Sequence, residues 1–284
     1  MMKLPALKYT APTSVEEACD LLAADEDAKI IAAGQSLIPI MAMRLARPSV
    51  LIDLARIPGL TDIDEVGDYV RLGSMVTHAN ILNSPVVARN LPMMAEAGRN
   101  IAHAQVRNRG TIGGSVAHGD AAGEWPLVLL ALDGMVEVQS VRGRRTIDAD
   151  DLFIGPFMTT IADDEVLTDI WIPSRRAGWG YGEFARRLGD YGIVNVAVAL
   201  STDGIDTPHA RVTIGAAVGK VQRIPVAEEI LNGAEFAPDL ADEASMAGAE
   251  SLSYISDMHG SAEYRRGLAR ELIRRTIVEA GVRT

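Results

Sequence analysis

Two glycine-containing segments hold the residues best suited to binding a ligand. Each lies between a stretch typical of a strand and a stretch typical of a helix, and they read Ala32-Ala33-Gly34-Gln35-Ser36-Leu37 and Gly110-Thr111-Ile112-Gly113-Gly114-Ser115. Successive backbone N–H groups in such a loop, with the partial positive charge at the start of the following helix, stabilise a phosphate without a basic side chain. Two such loops suit a diphosphate, although either loop alone could equally be a tight turn.

Other common binding and catalytic patterns are missing from the sequence. There is no G-x-G-x-x-G and no G-x-x-x-x-G-K-[ST], which disfavours a Rossmann site and a P-loop. The five histidines are scattered without an H-E-x-x-H pair, so a metal site is disfavoured too. No Ser-His-Asp arrangement and no catalytic carboxylate pair can be defended from spacing. Cys19 is the only cysteine, which excludes an internal disulfide and the ligand set of an iron–sulfur cluster.

The composition is that of a folded protein without a polyanionic partner. Of 284 residues, 27 are Lys or Arg and 38 are Asp or Glu, so the net charge is −11, and 48% are hydrophobic. The acidic balance disfavours nucleic acid, and the length suits two domains. The arginine-rich runs at 142–145 and 265–275 are predicted to be solvated faces or part of a subunit interface.

The sequence also bears on location. The longest apolar runs, such as residues 127–132, are far below the roughly 18 to 20 residues of a membrane span. The N-terminal residues, which include Lys3 and Pro5, lack the unbroken apolar stretch of a signal peptide. We therefore expect a cytoplasmic protein.

The elements that would position the two loops are alternating helices and strands. Thr13 and Glu16 have capping-box spacing ahead of a first helix, whose apolar stripe includes Cys19. A strand at 29–32 is predicted to lead into the first loop, and the helix after it to continue until Pro48 stops it. The other predicted segments are strands at 50–54, 70–72, 135–140 and 166–172, a helix at 125–132, a linker at 173–182, strands at 181–187, 194–202 and 210–218, and helices near 226–232, 238–254 and 261–280. The late segments predict a separate α+β domain.

Both loops resemble those of a known family. The first loop, continued by Ile38 and Pro39, is similar to A-G-G-Q-S-L-x-P, and the second, beginning at Gln105, is similar to Q-x-R-N-x-G-T-x-G-G-S. These are motifs of the FAD-binding medium subunit of molybdenum hydroxylases, which includes the carbon monoxide dehydrogenase medium chain and the flavin domain of xanthine dehydrogenase. Residues 189–191 and 261–266 also resemble that family's C-terminal domain, so the resemblance covers nearly the whole chain.

The resemblance implies an α+β fold in two domains. Residues 1–176 would form a two-part FAD-binding domain of the vanillyl-alcohol-oxidase (PCMH) type, with sub-parts at about 1–57 and 58–176. Residues 177–284 would form a smaller α+β domain like the C-terminal domain of the carbon monoxide dehydrogenase flavoprotein.

The resemblance also implies a set of cofactor-binding residues and no catalytic or metal-binding residue. The first loop would wrap the FAD diphosphate and the second would continue that cradle, while Asp120 and Glu124 would accept hydrogen bonds from ribityl or ribose hydroxyls. Leu167 would lie near the adenine and Tyr191 near the flavin ring, although Tyr191 could equally be a packed aromatic. His118 would approach the FAD, which we expect to be bound noncovalently. The full set is Ala32, Ala33, Gly34, Gln35, Ser36, Leu37, Thr111, Gly114, Ser115, His118, Asp120, Glu124, Leu167 and Tyr191.

Two positions depart from the family pattern. Ala33 replaces the family's second glycine, and a Cβ at positive φ would cost roughly 1 to 2 kcal/mol there. Asp120-Ala121 replaces Asp-Pro, which removes one restraint on the turn.

By resemblance, the chain is the FAD-binding electron-transfer subunit of a larger enzyme. A large subunit with the molybdenum cofactor would oxidise the substrate, a small subunit with two [2Fe-2S] clusters would relay the electrons, and FAD would pass them to an external acceptor. The family expectation is an (αβγ)2 heterohexamer. The alternatives are a self-contained FAD-dependent oxidoreductase and a nucleotide-binding or scaffold module that has lost FAD. Whether the substrate is carbon monoxide, an N-heterocycle, a purine or an aldehyde leaves no mark on this chain.

Overall fold

The computed structural model describes residues 4, 6–174, 178–201, 209–232 and 237–283. The chain begins with a small parallel sheet and two helices. The strands are β1 (Lys8–Thr10), β2 (Lys29–Ile31) and β3 (Val50–Asp53), in the spatial order β1-β3-β2. The helices are α1 (Val15–Ala23) and α2 (Leu37–Ala42), and a short 3-10 helix spans Leu54–Arg56. The predicted strand and helix on either side of the first loop are thus confirmed.

The second part is an antiparallel sheet that a long helical excursion interrupts. Its strands are β4 (Ile63–Val66), β5 (Tyr69–Gly73), β6 (Met135–Ser140), β7 (Gly143–Asp148) and β10 (Val166–Pro173), in the order β4-β5-β10-β6-β7. The excursion holds α3 (His78–Asn83), α4 (Pro85–Asn90), α5 (Pro92–Ala97), α6 (Ala104–Arg107), α7 (Ile112–His118) and α8 (Glu124–Ala131). Helix α9 (Ala149–Leu152) and the hairpin of β8 (Phe153–Gly155) and β9 (Met158–Thr159) follow β7.

The third part has strands first and helices last, as predicted. Strands β11 (Gly178–Phe184), β12 (Val194–Ser201), β13 (His209–Gly215) and β14 (Gln222–Arg223) pair antiparallel in chain order. Helices α10 (Pro225–Leu231), α11 (Pro238–Glu250) and α12 (Ala262–Val282) follow.

The apolar cores follow these three parts. One cluster joins α1 to β3 and includes Cys19, whose Sγ donates to Gln139 O at 3.3 Å and whose pKa burial raises to about 11. The thiol is therefore an unreactive core group, and its burial confirms the predicted apolar stripe of the first helix. A large cluster surrounds α8, and a third lies between α12 and strands β12 and β13. The large cluster also takes in Tyr181 and Ala197, so the apolar core is continuous from α8 into the third sheet.

The predicted linker at 173–182 is wrong for its second half, which is strand β11. Its glycines allow α12 to lie directly on the strand. A Cβ at Gly180 would come within 2.3 Å of Thr276 O, and a Cβ at Gly182 within 2.8 Å of Leu272 Cδ1. The glycines that suggested a linker are therefore needed for the close packing of α12 on β11. The predicted domain boundary between residues 176 and 177 lies outside the described residues.

Three smaller expectations also need correction. Helix α1 is capped by Ser14 and not Thr13: Ser14 Oγ accepts from Glu17 N, and Glu17 in turn accepts from Thr13 N at 2.9 Å. Helix α2 ends at Ala42, before Pro48, because Arg44 has the left-handed φ of 65°. The third correction concerns the arginine-rich run in α12.

Arg265 belongs to the core, whereas the predicted solvated face would expose it. Only 2% of the residue is exposed. Its Nη1 donates to Ile193 O at 2.7 Å and Ala216 O at 3.0 Å, and its Nη2 forms an ion pair with Asp257 at 2.6 Å. The other arginine-rich run, in β7, is solvated as predicted. Within the part of the chain that the structure describes, no helix has the length and apolar character needed to cross a membrane.

Candidate functional site

The first glycine loop presents backbone donors that the protein itself does not use. Gly34 has a φ of 69°, and a Cβ there would lie 2.7 Å from Ile38 Cγ1, so glycine is required by both conformation and space. Among the described residues, the N–H groups of Gly34, Gln35 and Ser36 have no hydrogen-bond partner. The Ser36 hydroxyl makes no capping bond either. This loop can therefore surround an anion with neutral donors.

The second glycine loop works differently, because its backbone donors already have partners. Gly113 N donates to Ser74 O at 2.9 Å, Gly114 N to Thr111 Oγ1 at 3.1 Å, and Ser115 N to Thr111 O at 3.1 Å. The expectation that these N–H groups are free for a phosphate is therefore wrong. What this loop can offer a ligand is the hydroxyls of Thr111 and Ser115 and a close approach at Gly114.

The two loops come together in space. A Cβ at Gly114 would lie 3.6 Å from Ala32 Cβ, which places the second loop against the end of β2. The neighbouring Gly113 packs directly against Ser74: a Cβ at position 113 would lie 2.5 Å from both Cβ and O of Ser74. The two loops found in the sequence therefore meet at one site, where the first loop alone supplies free backbone N–H groups.

A cavity of about 870 Å³ opens where the loops meet, and every residue of the predicted cofactor set lines it. Its volume falls in the range of small-molecule sites. Its lining includes Leu167 with Ile161 and Ala162, and Tyr191 with Gly189 and Asp190. The lining residues from the prediction are Ala32, Ala33, Gly34, Gln35, Ser36, Leu37, Thr111, Gly114, Ser115, His118, Asp120, Glu124, Leu167 and Tyr191.

Tyr191 reaches the cavity from the third part of the chain. It is 65% exposed, so it is not the packed core aromatic of the alternative interpretation. Gly189, two residues earlier, has a φ of 85°, and a Cβ there would lie 2.8 Å from Ala102 O and from His103 Nδ1. This close approach holds the Tyr191 loop against the second part of the chain, at the mouth of the cavity.

A buried carboxyl gives the cavity an unusual electrostatic feature. Glu124 is 7% exposed at the start of α8, and burial, followed by the charges of Glu183 and Asp120, raises its pKa to about 8. Burial also raises the pKa of Glu183, although the Tyr181 hydroxyl donates to it at 2.6 Å. Glu124 is therefore protonated at neutral pH and can donate as well as accept a hydrogen bond. Asp120 accepts from Ala122 N at 2.9 Å, which keeps the turn in place without the family's proline.

His118 lines the same cavity at the end of α7. Its ring centroid lies 5.0 Å from that of Phe157, and burial lowers its pKa. A neutral imidazole packed on a phenyl ring is suited to contact with a flat ligand. Across the described residues, no three His, Cys, Asp or Glu side chains are grouped closely enough to hold a metal ion.

Two polar residues of the cavity wall were not found from the sequence. Ser74 is 3% exposed, and its Oγ is buried without a hydrogen-bond partner in the part of the chain described. His78 is 6% exposed, and its Nδ1 accepts from Trp125 Nε1 at 2.8 Å. Neither belongs to a glycine motif, and their segment reaches the second loop only through long-range backbone contacts, such as the bonds from Gly113 N to Ser74 O and from His78 N to Gly110 O.

These features fit FAD. The free N–H groups of the first loop suit its diphosphate, the glycine at 114 permits a close approach, and the buried Ser74 hydroxyl of the cavity lining has no partner among the described residues.

Comparison with known families agrees with that geometry. A model described as the FAD binding domain in molybdopterin dehydrogenase matches residues 5–175, and one described as the CO dehydrogenase flavoprotein C-terminal domain matches residues 179–280. The chain belongs to the family of FAD-binding medium subunits of molybdenum hydroxylases. The resemblance noted in the sequence, the mixed α+β fold and the assignment to oxidoreductases are thereby confirmed.

The similarity to individual relatives extends over nearly the whole length of this chain. The chain is 71% identical over 283 residues to the nicotine 6-hydroxylase medium subunit of Paenarthrobacter nicotinovorans, with 100% of both chains covered. It is 35% identical over 282 residues to the carbon monoxide dehydrogenase medium chain of Hydrogenophaga pseudoflava, with 98% of both chains covered. The crystal structure of quinoline 2-oxidoreductase from Pseudomonas putida 86 matches with a TM-score of 0.93 and 38% identity over 99% of both chains.

Proposed function

We propose that this medium subunit is the electron-transfer flavoprotein of a three-subunit molybdenum hydroxylase. In this proposal it takes electrons from two [2Fe-2S] clusters of a small subunit and passes them to an external acceptor. The observation that carries the proposal is the single cavity lined by both glycine loops and by the Tyr191 loop. The single cysteine supports the division of labour, since this chain cannot ligate the clusters itself.

The proposed roles of the residues follow from which donors are free. The N–H groups of Gly34, Gln35 and Ser36 would bind the FAD diphosphate, with hydroxyls of Thr111 and Ser115 beside them. Protonated Glu124 would donate to, or accept from, a ribityl or ribose hydroxyl. Leu167 would pack on the adenine.

When bound, FAD supplies redox chemistry that accepts electrons one at a time and delivers them in pairs. The chain's own contribution is position and environment. The Tyr191 side chain would cover the flavin ring and exclude water. The His118 side chain, at the end of α7, would limit the movement of that ring. No residue needs to act as an acid or base toward the organic substrate, so we assign no catalytic residue.

For the complete enzyme we propose an N-heteroaromatic substrate that is hydroxylated on a ring carbon at the molybdenum centre of a large subunit. The support is the 71% identity to a nicotine 6-hydroxylase medium subunit over the whole chain, together with the match to quinoline 2-oxidoreductase. We further propose an (αβγ)2 assembly located in the cytoplasm, with noncovalent FAD. The relative that is 71% identical supports the substrate proposal because a flavin subunit must fit its own large and small partners. A similar medium subunit therefore favours a similar large subunit, and the large subunit selects the substrate.

The test is to purify the complex from its native host through a tag on this chain and to analyse one sample. Flavin released by acid, together with iron and molybdenum, would support the proposal, and reduction of the flavin by nicotine would support the substrate class. FAD on a lone chain without metals, reduced directly by a small substrate, would instead establish a self-contained oxidoreductase. A preparation without flavin would contradict both.

A further inference from the structure

His78 is tied to the second glycine loop by the backbone. It is the first residue of α3, its N donates to Gly110 O at 2.9 Å, and the preceding Thr77 pairs with Thr111. The imidazole therefore lies beside the loop and lines the cavity, although only 6% of the residue is exposed. No part of the proposed function has used this side chain.

Trp125 fixes which ring nitrogen of His78 carries the hydrogen. The indole N–H can only donate, and it donates to Nδ1 at 2.8 Å, so Nδ1 must hold a lone pair and a neutral ring must be protonated at Nε2. Burial, with a smaller effect from the charge of Arg107, lowers the pKa of His78 to about 4, which keeps the ring neutral near pH 7. Trp125 cannot swing away, since it is 1% exposed and packs against Gly98, where a Cβ would lie 2.8 Å from the indole.

The Nε2–H group is left without a protein acceptor. Nε2 has no hydrogen-bond partner among the described residues, and it lies so close to Gly110 that a Cβ there would approach it to 2.6 Å. Ser74 Oγ, four residues earlier on the same cavity wall, is also unpartnered and buried. Polar groups of a cavity lining that have no partner in the protein are normally satisfied by what the cavity binds, so the Nε2–H of His78 and the hydroxyl of Ser74 point to a ligand.

Backbone and side-chain contacts connect the segment beside His78 to the loop that carries Tyr191. Gly110 N donates to Val106 O at 2.7 Å, and the neighbouring Arg107 holds Ile101 O and Ala102 O at 2.8 Å each. Ala102 O is the atom that a Cβ at Gly189 would meet, in the loop that carries Tyr191. The segment beside His78 is thus joined to the Tyr191 loop, and the proposed function assigns the flavin ring to Tyr191.

We propose that His78, held in its Nε2-protonated form by Trp125, donates a hydrogen bond to the flavin moiety of FAD. This inference rests on the proposed FAD site and adds to it a cofactor-contacting residue that no motif of the chain indicates. It also explains the glycine at 110, because any side chain there would cover the donor.

The experiment first removes the flavin from the complex. Titration calorimetry then measures the affinity of the flavin-free complex for FAD, FMN and ADP. His78→Phe keeps the ring volume and removes the donor. We expect it to weaken FAD and FMN about three- to tenfold, the usual effect of one lost neutral hydrogen bond, and to leave ADP unchanged. His78→Gln retains an N–H donor and is expected to restore most of the affinity for FAD and FMN.

A purely structural role of His78 predicts a different pattern. Displacement of the Thr111 loop would weaken ADP as much as FMN, and that result, or unchanged FMN binding, would overturn the inference. Because His78→Phe leaves the Trp125 indole without an acceptor, the double variant with Trp125→Phe removes both polar partners and must show the same selectivity. Failure of the unmodified complex to bind FAD at all would instead contradict the proposed function itself.

Discussion

Glu124 offers a quantitative test of the electrostatics of the cavity. Burial, then Glu183, then Asp120 raise its pKa from the ordinary 4.5 to about 8. Between these two pH values the unfolded chain has released this proton and the folded chain still holds it. The folded state binds more protons, so the free energy of unfolding must fall as the pH rises through this window, and the contribution is neutral below pH 4.5.

The size of this effect follows from the width of the window. Each pH unit corresponds to 1.36 kcal/mol, so the window from 4.5 to about 8 amounts to about 5 kcal/mol. Gln at position 124 has nearly the same shape, can donate and accept, and does not ionise. Glu124→Gln should therefore match the unmodified chain near pH 4.5 and exceed its stability by up to about 5 kcal/mol at and above about pH 8.

The assay is urea unfolding of the flavin-free chain at about pH 5 and about pH 8.5, which compares the two free energies of unfolding. Glu26→Gln makes the same chemical change at an exposed position and serves as the control, with no expected difference between the two pH values. If Glu124→Gln changes the stability equally at both pH values, Glu124 is already ionised in the folded chain and the reasoning fails.

Three further substitutions test the loops and the core. Gly114→Trp should abolish FAD retention, measured by flavin absorbance, and leave α12 and its sheet folded. The control Gly219→Trp should retain FAD in that assay, because a Cβ at position 219 meets nothing within 4 Å. Gly34→Ala should lower the free energy of unfolding by about 1 to 2 kcal/mol, because it puts a Cβ at positive φ, and should also weaken FAD in a fluorescence titration; unchanged values would contradict the free-donor role of this loop. Arg265→Met should cost about 3 kcal/mol in urea unfolding, since it leaves two buried carbonyls unpaired, while Arg274→Met at an exposed ion pair should cost less than about 1 kcal/mol; equal effects would refute the buried role.

The sequence predicted what depends on neighbouring residues. Glycines flanked by a strand and a helix identify the first loop, and the spacing of Ala18, Cys19 and Leu22 identifies a buried helical stripe. It could not predict that Gly113 N in the second loop already has a partner, because that partner, Ser74 O, lies almost forty residues away. For the same reason the role proposed for His78 could not be predicted, because it depends on a hydrogen bond from Trp125, which is distant in sequence.

The errors in the C-terminal part have a common physical origin. Glycine is ordinarily read as flexibility, and Gly180 and Gly182 suggested a linker. Arginine is ordinarily read as surface, and Arg265 suggested a solvated face. Both interpretations fail because α12 packs onto β11 and β12 more closely than the sequence could show. This packing needs small residues on β11, and it lets one guanidinium bond two carbonyls, just before β12 and just after β13.

Ala33 illustrates how a departure from a family motif should be judged. The replacement of the family's second glycine was the only sequence feature in favour of a module that had lost FAD. In the structure the positive φ of this loop belongs to Gly34, and Ala33 has an ordinary backbone conformation. The penalty of roughly 1 to 2 kcal/mol therefore does not apply at position 33. The one residue of the loop that must be glycine, Gly34, is still glycine, and the N–H groups of Gly34, Gln35 and Ser36 have no partner among the described residues, so Ala33 gives no reason to expect that FAD has been lost.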